Sequence, residues 1–298
     1  MDTCYPSFNP EIWGGLECTI NRIGDSFRDQ MGYAGFYERQ NDIDKIAQLG
    51  IKVIRFPILW EAHQLFSEEE EINWTRTTQD LQKIGAHHIT PIAGLVHHGS
   101  GPRFTSLDNG HFPKSLASYA SKVATQFPWL EYYTPVNEPL TTARFSGLYG
   151  LWYPHHKNES SFIRMLLNEL KATVLSMKEI RKINPHAKLV QTEDLTKTHS
   201  SPLLQYQAEF ENKRRWLSYD ILCGQLNNRH FFWHYLIDKL AIKNEELQFF
   251  LDNPCPPDIA GFNYYITSER FLDEKIENYP PNTHGGNGAH IYADVSAV

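Results

Sequence analysis

Six short apolar runs, at residues 12–14, 52–56, 90–96, 132–136, 188–192 and 258–263, recur along the chain with helix-length intervals between them. The intervals predict helices over 36–49, 74–86, 113–127, 160–183 and 201–219. Alternation of this kind points to a parallel sheet, because parallel neighbours need a crossover connection that a helix supplies. Two helix ends can be read directly. Leu49-Gly50 puts glycine where a left-handed cap is easiest, and Pro185 closes the long helix before the fifth strand. The fold class is therefore α/β, a (β/α)8 barrel of the TIM type, over a single domain spanning 1–298. Eight strands close such a barrel and six are found. Beyond Tyr265 the chain is rich in Pro, Gly and Asn (Tyr279-Pro280-Pro281, Gly285-Gly286-Asn287-Gly288), with room for one short strand at 290–295. The barrel is expected to lack its seventh and eighth strands.

With 41% hydrophobic and 21% charged residues, the chain can bury a sizeable core. Its net charge of −7 argues against nucleic acid or an anionic membrane as partner. No run of eighteen apolar residues exists, and the N-terminus lacks a basic region followed by an apolar stretch, so the cytoplasm is the expected location. Cys4, Cys18, Cys223 and Cys255 form no CxxC pair and read as buried or free thiols. Aromatics reach 13%, either for core packing or for a pocket that stacks planar rings on sugar faces.

Polar residues gather just after five of the strands, at the end of the sheet where loops converge in such folds. In Thr134-Pro135-Val136-Asn137-Glu138-Pro139, a carboxyl at a strand end sits beside an amide; partial desolvation keeps such a carboxyl protonated, as a general acid requires. The alternative is a glutamate satisfied by local backbone amides. His97 and His98 follow the third strand; adjacent residues on a strand face opposite ways, which argues against a metal site, and no metal or organic cofactor is expected. Arg55 ends the second strand and, inside a barrel, needs a carboxylate partner, for which Glu17, Glu193 and Asp194 are candidates. Lys213-Arg214-Arg215 reads as a solvated helix face, and the acidic run 68–71 as a solvated loop or helix start.

Taken together, these residues resemble the family-1 glycoside hydrolases, retaining β-glycosidases on a (β/α)8 barrel. Thr134-Pro135-Val136-Asn137-Glu138-Pro139 is similar to that family's Thr-x-Asn-Glu-Pro motif, which implies that Glu138 is the acid/base and that Asn137 contacts the sugar 2-hydroxyl. His97 matches the family's sugar-binding histidine, and Arg55, in Ile54-Arg55-Phe56-Pro57, its arginine near the nucleophile. Gly261-Phe262-Asn263-Tyr264-Tyr265 resembles the Gly-x-Asn-Tyr-Tyr run and places Asn263 and Tyr265 at the active centre. Trp13-Gly14 opens the first strand as in the family, with Asn21 nearest to its sugar-binding glutamine. The segments at 94–102 and 254–258 are closer to a bacterial branch in which the barrel is joined to a domain resembling dTDP-4-dehydrorhamnose reductase; this chain has no Gly-x-Gly-x-x-Gly run.

One departure is large. The family's nucleophilic Glu lies in an Ile/Val-Thr-Glu-Asn-Gly run, and no such run follows Tyr265. Retention needs two carboxylates about 5 Å apart. Glu193 is a candidate stand-in, on the wall adjacent to Glu138 rather than opposite. Three readings follow: a β-glycosidase-like enzyme, of which this is a fragment or which a partner chain or fused domain completes; an inactive carbohydrate- or sugar-nucleotide-binding module; or a scaffold in polysaccharide or sugar-nucleotide biosynthesis.

Overall fold

A computed structural model describes residues 10–265, 268–279 and 290–292. Cys4, residues 280–289 and positions 293–295 of the expected last strand lie outside them. The strands are β1 (Trp13–Gly15), β2 (Ile20–Ile23), β3 (Ser26–Asp29), β4 (Val53–Pro57), β5 (Thr90–His97), β6 (Tyr132–Asn137), β7 (Lys188–Asp194), β8 (Thr198–Ser200), β9 (Ile259–Asn263), β10 (Arg270–Leu272) and β11 (His290–Tyr292). The helices are α1 (Gln30–Tyr33), α2 (Asp42–Gln48), α3 (Trp60–His63), α4 (Thr75–Ala86), α5 (Phe112–Gln126), α6 (Pro139–Ala143), α7 (Glu159–Ile183), α8 (Gln205–Arg214), α9 (Leu217–Leu222) and α10 (Asn244–Asp252).

All six expected strands are present. They lie side by side in the order β1-β4-β5-β6-β7-β9, every pair parallel, as a curled six-stranded part of a TIM-type barrel. Among the described residues β1 and β9 each pair on one side only, so the sheet has two free edges. Burial follows this: Leu95, Val96, Val136 and Leu189 of the inner strands are inaccessible, whereas Phe262 of β9 is 61% exposed. Residues beyond β7 and β9 form a second, three-stranded sheet, β11-β10-β8.

The helical layer is held by apolar stripes at the 3.6-residue period. On α7, Phe162, Ile163, Leu166, Leu170, Val174 and Met177 are all buried, and α7 packs on α5 and β6. Asn158 caps the start of α7 by accepting from the Ser161 N–H, while Arg181 and Lys182 complement the dipole at its end. Gly50 follows α2 at φ +77°, the left-handed cap expected there.

Three local differences have physical causes. The hairpin β2–β3 was unforeseen, although Gly24-Asp25 between two short runs is a turn signal and Gly24 takes φ +59°. The interval 36–49 is helical only from Asp42, because the segment ahead of it turns at Gly35 (φ +73°). The helix expected over 201–219 is broken between α8 and α9, and Arg215 at the break turns inward to 4% exposure rather than lying on a solvated face.

Leu166 is fully buried at the heart of this layer. Leu166→Ala is expected to cost about 2–5 kcal/mol in urea unfolding, while Leu203→Ala, at a position 65% exposed, should stay within about 0.5 kcal/mol. Equal losses at both positions would contradict this packing.

Candidate active site

Strand register brings the polar residues to one rim. His97 pairs with Asn137 across β5 and β6, Asp194 with Asn263 across β7 and β9, and Gly15 with Arg55 across β1 and β4. Inside the rim is a cleft of about 1050 Å3 whose wall includes Glu17, Asn21, His98, Glu138, Asp194 and Tyr265. Phe145 and Trp152 supply an apolar side, stacked with ring centroids 4.7 Å apart, and His98 tilts against Trp152 at 5.0 Å.

Glu138 is the first residue past β6 and adopts φ 44°, ψ 60°. For a non-glycine residue this left-handed conformation costs free energy and is kept only where the surroundings enforce it. Pro139 begins α6 directly afterwards, at the helix position where a missing N–H is harmless. Glu138 is the cap residue of α6, yet its side chain makes no cap bond. The carboxyl instead accepts from the Asn263 amide and lies 3.6 Å from His98 Nε2, with only 2% of the residue exposed. Burial pushes its pKa up; the Asn263 hydrogen bond opposes that, and the Asp194 charge adds to it.

The amide of Asn137 organises the floor. Its Oδ1 accepts from Arg55 and, at 2.9 Å, from the Thr192 hydroxyl, so its Nδ2 is the donor to His98 Nε2 at 3.1 Å. His98 must then carry its proton on Nδ1 and donate to Thr142 Oγ1 at 2.8 Å. Burial first, and Arg55 second, lower the His98 pKa to about 4. At neutral pH the contact with Glu138 is that of a neutral imidazole, with no ionic pull on the carboxyl.

The site departs from the sequence expectations at four places. His97 and His98 both enter the same neighbourhood, with ring centroids 4.8 Å apart, because His98 takes φ +55° and breaks the strand's alternation. The cleft wall carries His98; His97 is 4% exposed, 3.9 Å from Glu17 Oε2. Among the described residues Arg55 forms no ion pair with a carboxylate: it donates to the Asn137 amide oxygen and, at 3.2 Å, to Thr192 Oγ1. Glu193 faces the helices and is wholly buried, accepting from Leu140 N–H and the Ser218 hydroxyl, so it is no stand-in nucleophile. Asp194, one residue on, faces the cleft between Arg144 (3.7 Å) and Arg215 (4.0 Å).

Of the residues singled out from sequence, Glu138, Asn21 and Tyr265 line the cleft and Asn263 holds Glu138. Arg55 and Asn137 form the layer beneath. Sequence reasoning missed Phe145, Trp152 and Glu17 as wall residues and took His98 for the outward histidine. A left-handed turn after a strand leaves no mark in the sequence at a non-glycine position. Among the described residues no group of acidic, His or Cys side chains could hold a metal ion, and no helix is long and apolar enough to cross a membrane.

Comparison with known proteins adds the following. A family model described as glycosyl hydrolase family 1 matches residues 12–296. No curated protein matches. Among solved structures, the chain is similar to a family 1 β-glucosidase from Thermotoga maritima (TM-score 0.67, 18% identity, 81% of this chain and 55% of that one). It is similar to the T. maritima β-glucosidase in complex with azafagomine (TM-score 0.69, 18% identity, 88% and 58%). It also resembles the AHE enzyme from Alicyclobacillus herbarius (TM-score 0.66, 18% identity, 78% and 54%). The chain thus spans little more than half the length of these structures.

Removing the Asp194 charge would leave two buried guanidiniums without their carboxylate. Asp194→Asn is therefore expected to destabilise the fold by about 3 kcal/mol in urea unfolding; a change under about 0.5 kcal/mol would show that the two arginines are balanced elsewhere.

Proposed function

The chain belongs to glycosyl hydrolase family 1, and on that premise we propose that its cleft takes a β-glycoside and that Glu138 is the proton donor to the leaving oxygen. The observation that carries this reading is the state of Glu138: a buried carboxyl, pushed towards its protonated form, turned into a cleft with an aromatic side. A general acid must hold its proton at working pH and release it as charge develops on the leaving oxygen. Burial pushes the carboxyl towards the first property. The Asn263 N–H, which donates to the carboxyl, is placed to receive the anion that remains. Phe145 and Trp152 give the apolar surface on which a sugar or aglycone ring stacks.

In this reading Asn21 and Tyr265 bind sugar hydroxyls from the cleft wall. His97, Asn137 and Asn263 serve the same pocket, and Arg55 fixes the Asn137 amide. Arg55 has the further duty of holding a carboxylate, which its two present partners, an amide and a hydroxyl, leave open. Retention demands a second carboxylate about 5 Å from Glu138, and the sequence has no Thr-Glu-Asn-Gly run to provide it. The free edges at β1 and β9 are where further strands from a partner chain or fused domain pair, carrying that group. Without them, the cleft binds sugar and does not turn it over. The free thiols Cys18, Cys223 and Cys255 suit a reducing cytoplasm.

The test pairs binding with turnover. Calorimetry of the chain with a monosaccharide-like inhibitor should show binding that survives Glu138→Gln. Where an aryl β-glycoside is hydrolysed, the same substitution should cut kcat by about 10²–10⁴-fold. Absence of any sugar binding, or full turnover in Glu138→Gln, would overturn the proposal.

A further inference from the structure

The turn that carries His98 into the cleft is held from behind by a carboxyl that acid/base chemistry leaves unused. β5 ends at His97, and the next four residues, His98-Gly99-Ser100-Gly101, include two left-handed positions, His98 at φ +55° and Gly101 at φ +79°. At the histidine this conformation costs free energy and is kept only where the surroundings enforce it. Gly99, Ser100 and Gly101 are buried, so the backbone N–H groups of the turn need partners within the protein.

Glu61, in the short helix α3 and 4% exposed, sits against this turn. Its Oε1 accepts from the Gly101 N–H at 3.1 Å. The same oxygen presses on Gly99: a Cβ built there would stand 2.0 Å from Glu61 Oε1 and 3.3 Å from the Ile20 carbonyl oxygen. Gly99 does not take a positive φ, so what its missing side chain provides is room for the carboxyl. Burial pushes the Glu61 pKa up to about 7, and a neutral amide there would keep the same acceptor oxygen.

We propose that Glu61 is a positioning residue for His98: its carboxyl, fitted against Gly99 and bonded to Gly101, fixes the turn and with it the direction of the His98 ring in the cleft. On the far side of the turn that ring meets Thr142 Oγ1 at 2.8 Å and the Asn137 amide at 3.1 Å, and its Nε2 lies 3.6 Å from Glu138 Oε2. The two hydrogen bonds select one tautomer, and both form only while the backbone delivers the ring to the same place. Glu61 therefore reaches the cleft through the 98–101 turn without touching a ligand. The value of a fixed His98 to sugar binding rests on the reading of the cleft given above; the positioning itself does not.

The test uses the full chain labelled with 15N and needs neither ligand nor turnover, so it stands apart from the fate of the glycosidase reading. The imidazole nitrogens of His98, assigned with His98→Gln, should report a single neutral tautomer with the proton on Nδ1. In Glu61→Ala the Gly101 amide should exchange about tenfold faster, and the His98 signals should become an average of two tautomers. Glu61→Gln, which keeps the acceptor oxygen, should restore both. Gly99→Ala, whose methyl takes the place of the carboxyl, should reproduce Glu61→Ala with Glu61 still present. Gly110→Ala, at a glycine with no atom within 4 Å of an added Cβ, should change neither signal. A His98 tautomer unchanged in Glu61→Ala and in Gly99→Ala overturns the proposal, even where Gly101 exchange quickens, because Glu61 would then stabilise the turn without directing the ring. If Glu61→Ala does not fold, Gly99→Ala set against Glu61→Gln decides by the same histidine signals.

Discussion

A carboxyl withdrawn from water at the end of a strand is the constraint on which the rest of this structure turns. Burying Glu138 to 2% exposure in a left-handed conformation is unfavourable twice over, in solvation and in backbone geometry. Neighbouring elements offset it. β9 brings the Asn263 amide, the residue after β5 brings a histidine that is neutral, and β7 sends Glu193 behind the turn to take the N–H that Glu138 leaves unsatisfied. None of these three groups is near Glu138 in sequence; the parallel register puts them there.

The same register explains why the rim is layered. Three residues that meet the cleft directly (His98, Glu138 and Asp194) are backed by side chains beside them, Asn263 in the case of Glu138. Thr142 and Asn137 hold His98, Arg144 and Arg215 flank Asp194, and Arg55 with Thr192 orients Asn137. Such backing holds a site's shape before a ligand arrives, which is what electrostatic preorganisation requires.

Much of the framework was legible in the chain. Short apolar runs with helix-length gaps gave all six parallel strands, and glycine or proline marked two helix ends, because the 2- and 3.6-residue periods and turn chemistry are local properties. Glu138 was legible for the same reason, as a carboxyl at a strand end before a proline. What escaped depended on tertiary context. The broken helix at Arg215 answers to Asp194, twenty-one residues earlier, rather than to its own neighbours. The partners of Arg55 could not be chosen between three carboxylates by spacing, and the structure chose an amide and a hydroxyl. His98 was misread because alternation fails where its φ turns positive.

Proton donation in the cleft depends on Glu138 being a proton-bearing group, and its titration is the direct measurement. Following the Glu138 carboxyl by 13C NMR from low to high pH, with Glu138→Gln to assign the signal, should give a midpoint above the ordinary glutamate value of about 4.3. Protonation is thus expected to persist after surface glutamates have ionised. A midpoint at or below that value would mean that the hydrogen bond from Asn263 outweighs burial, and the proton-donor reading would fall.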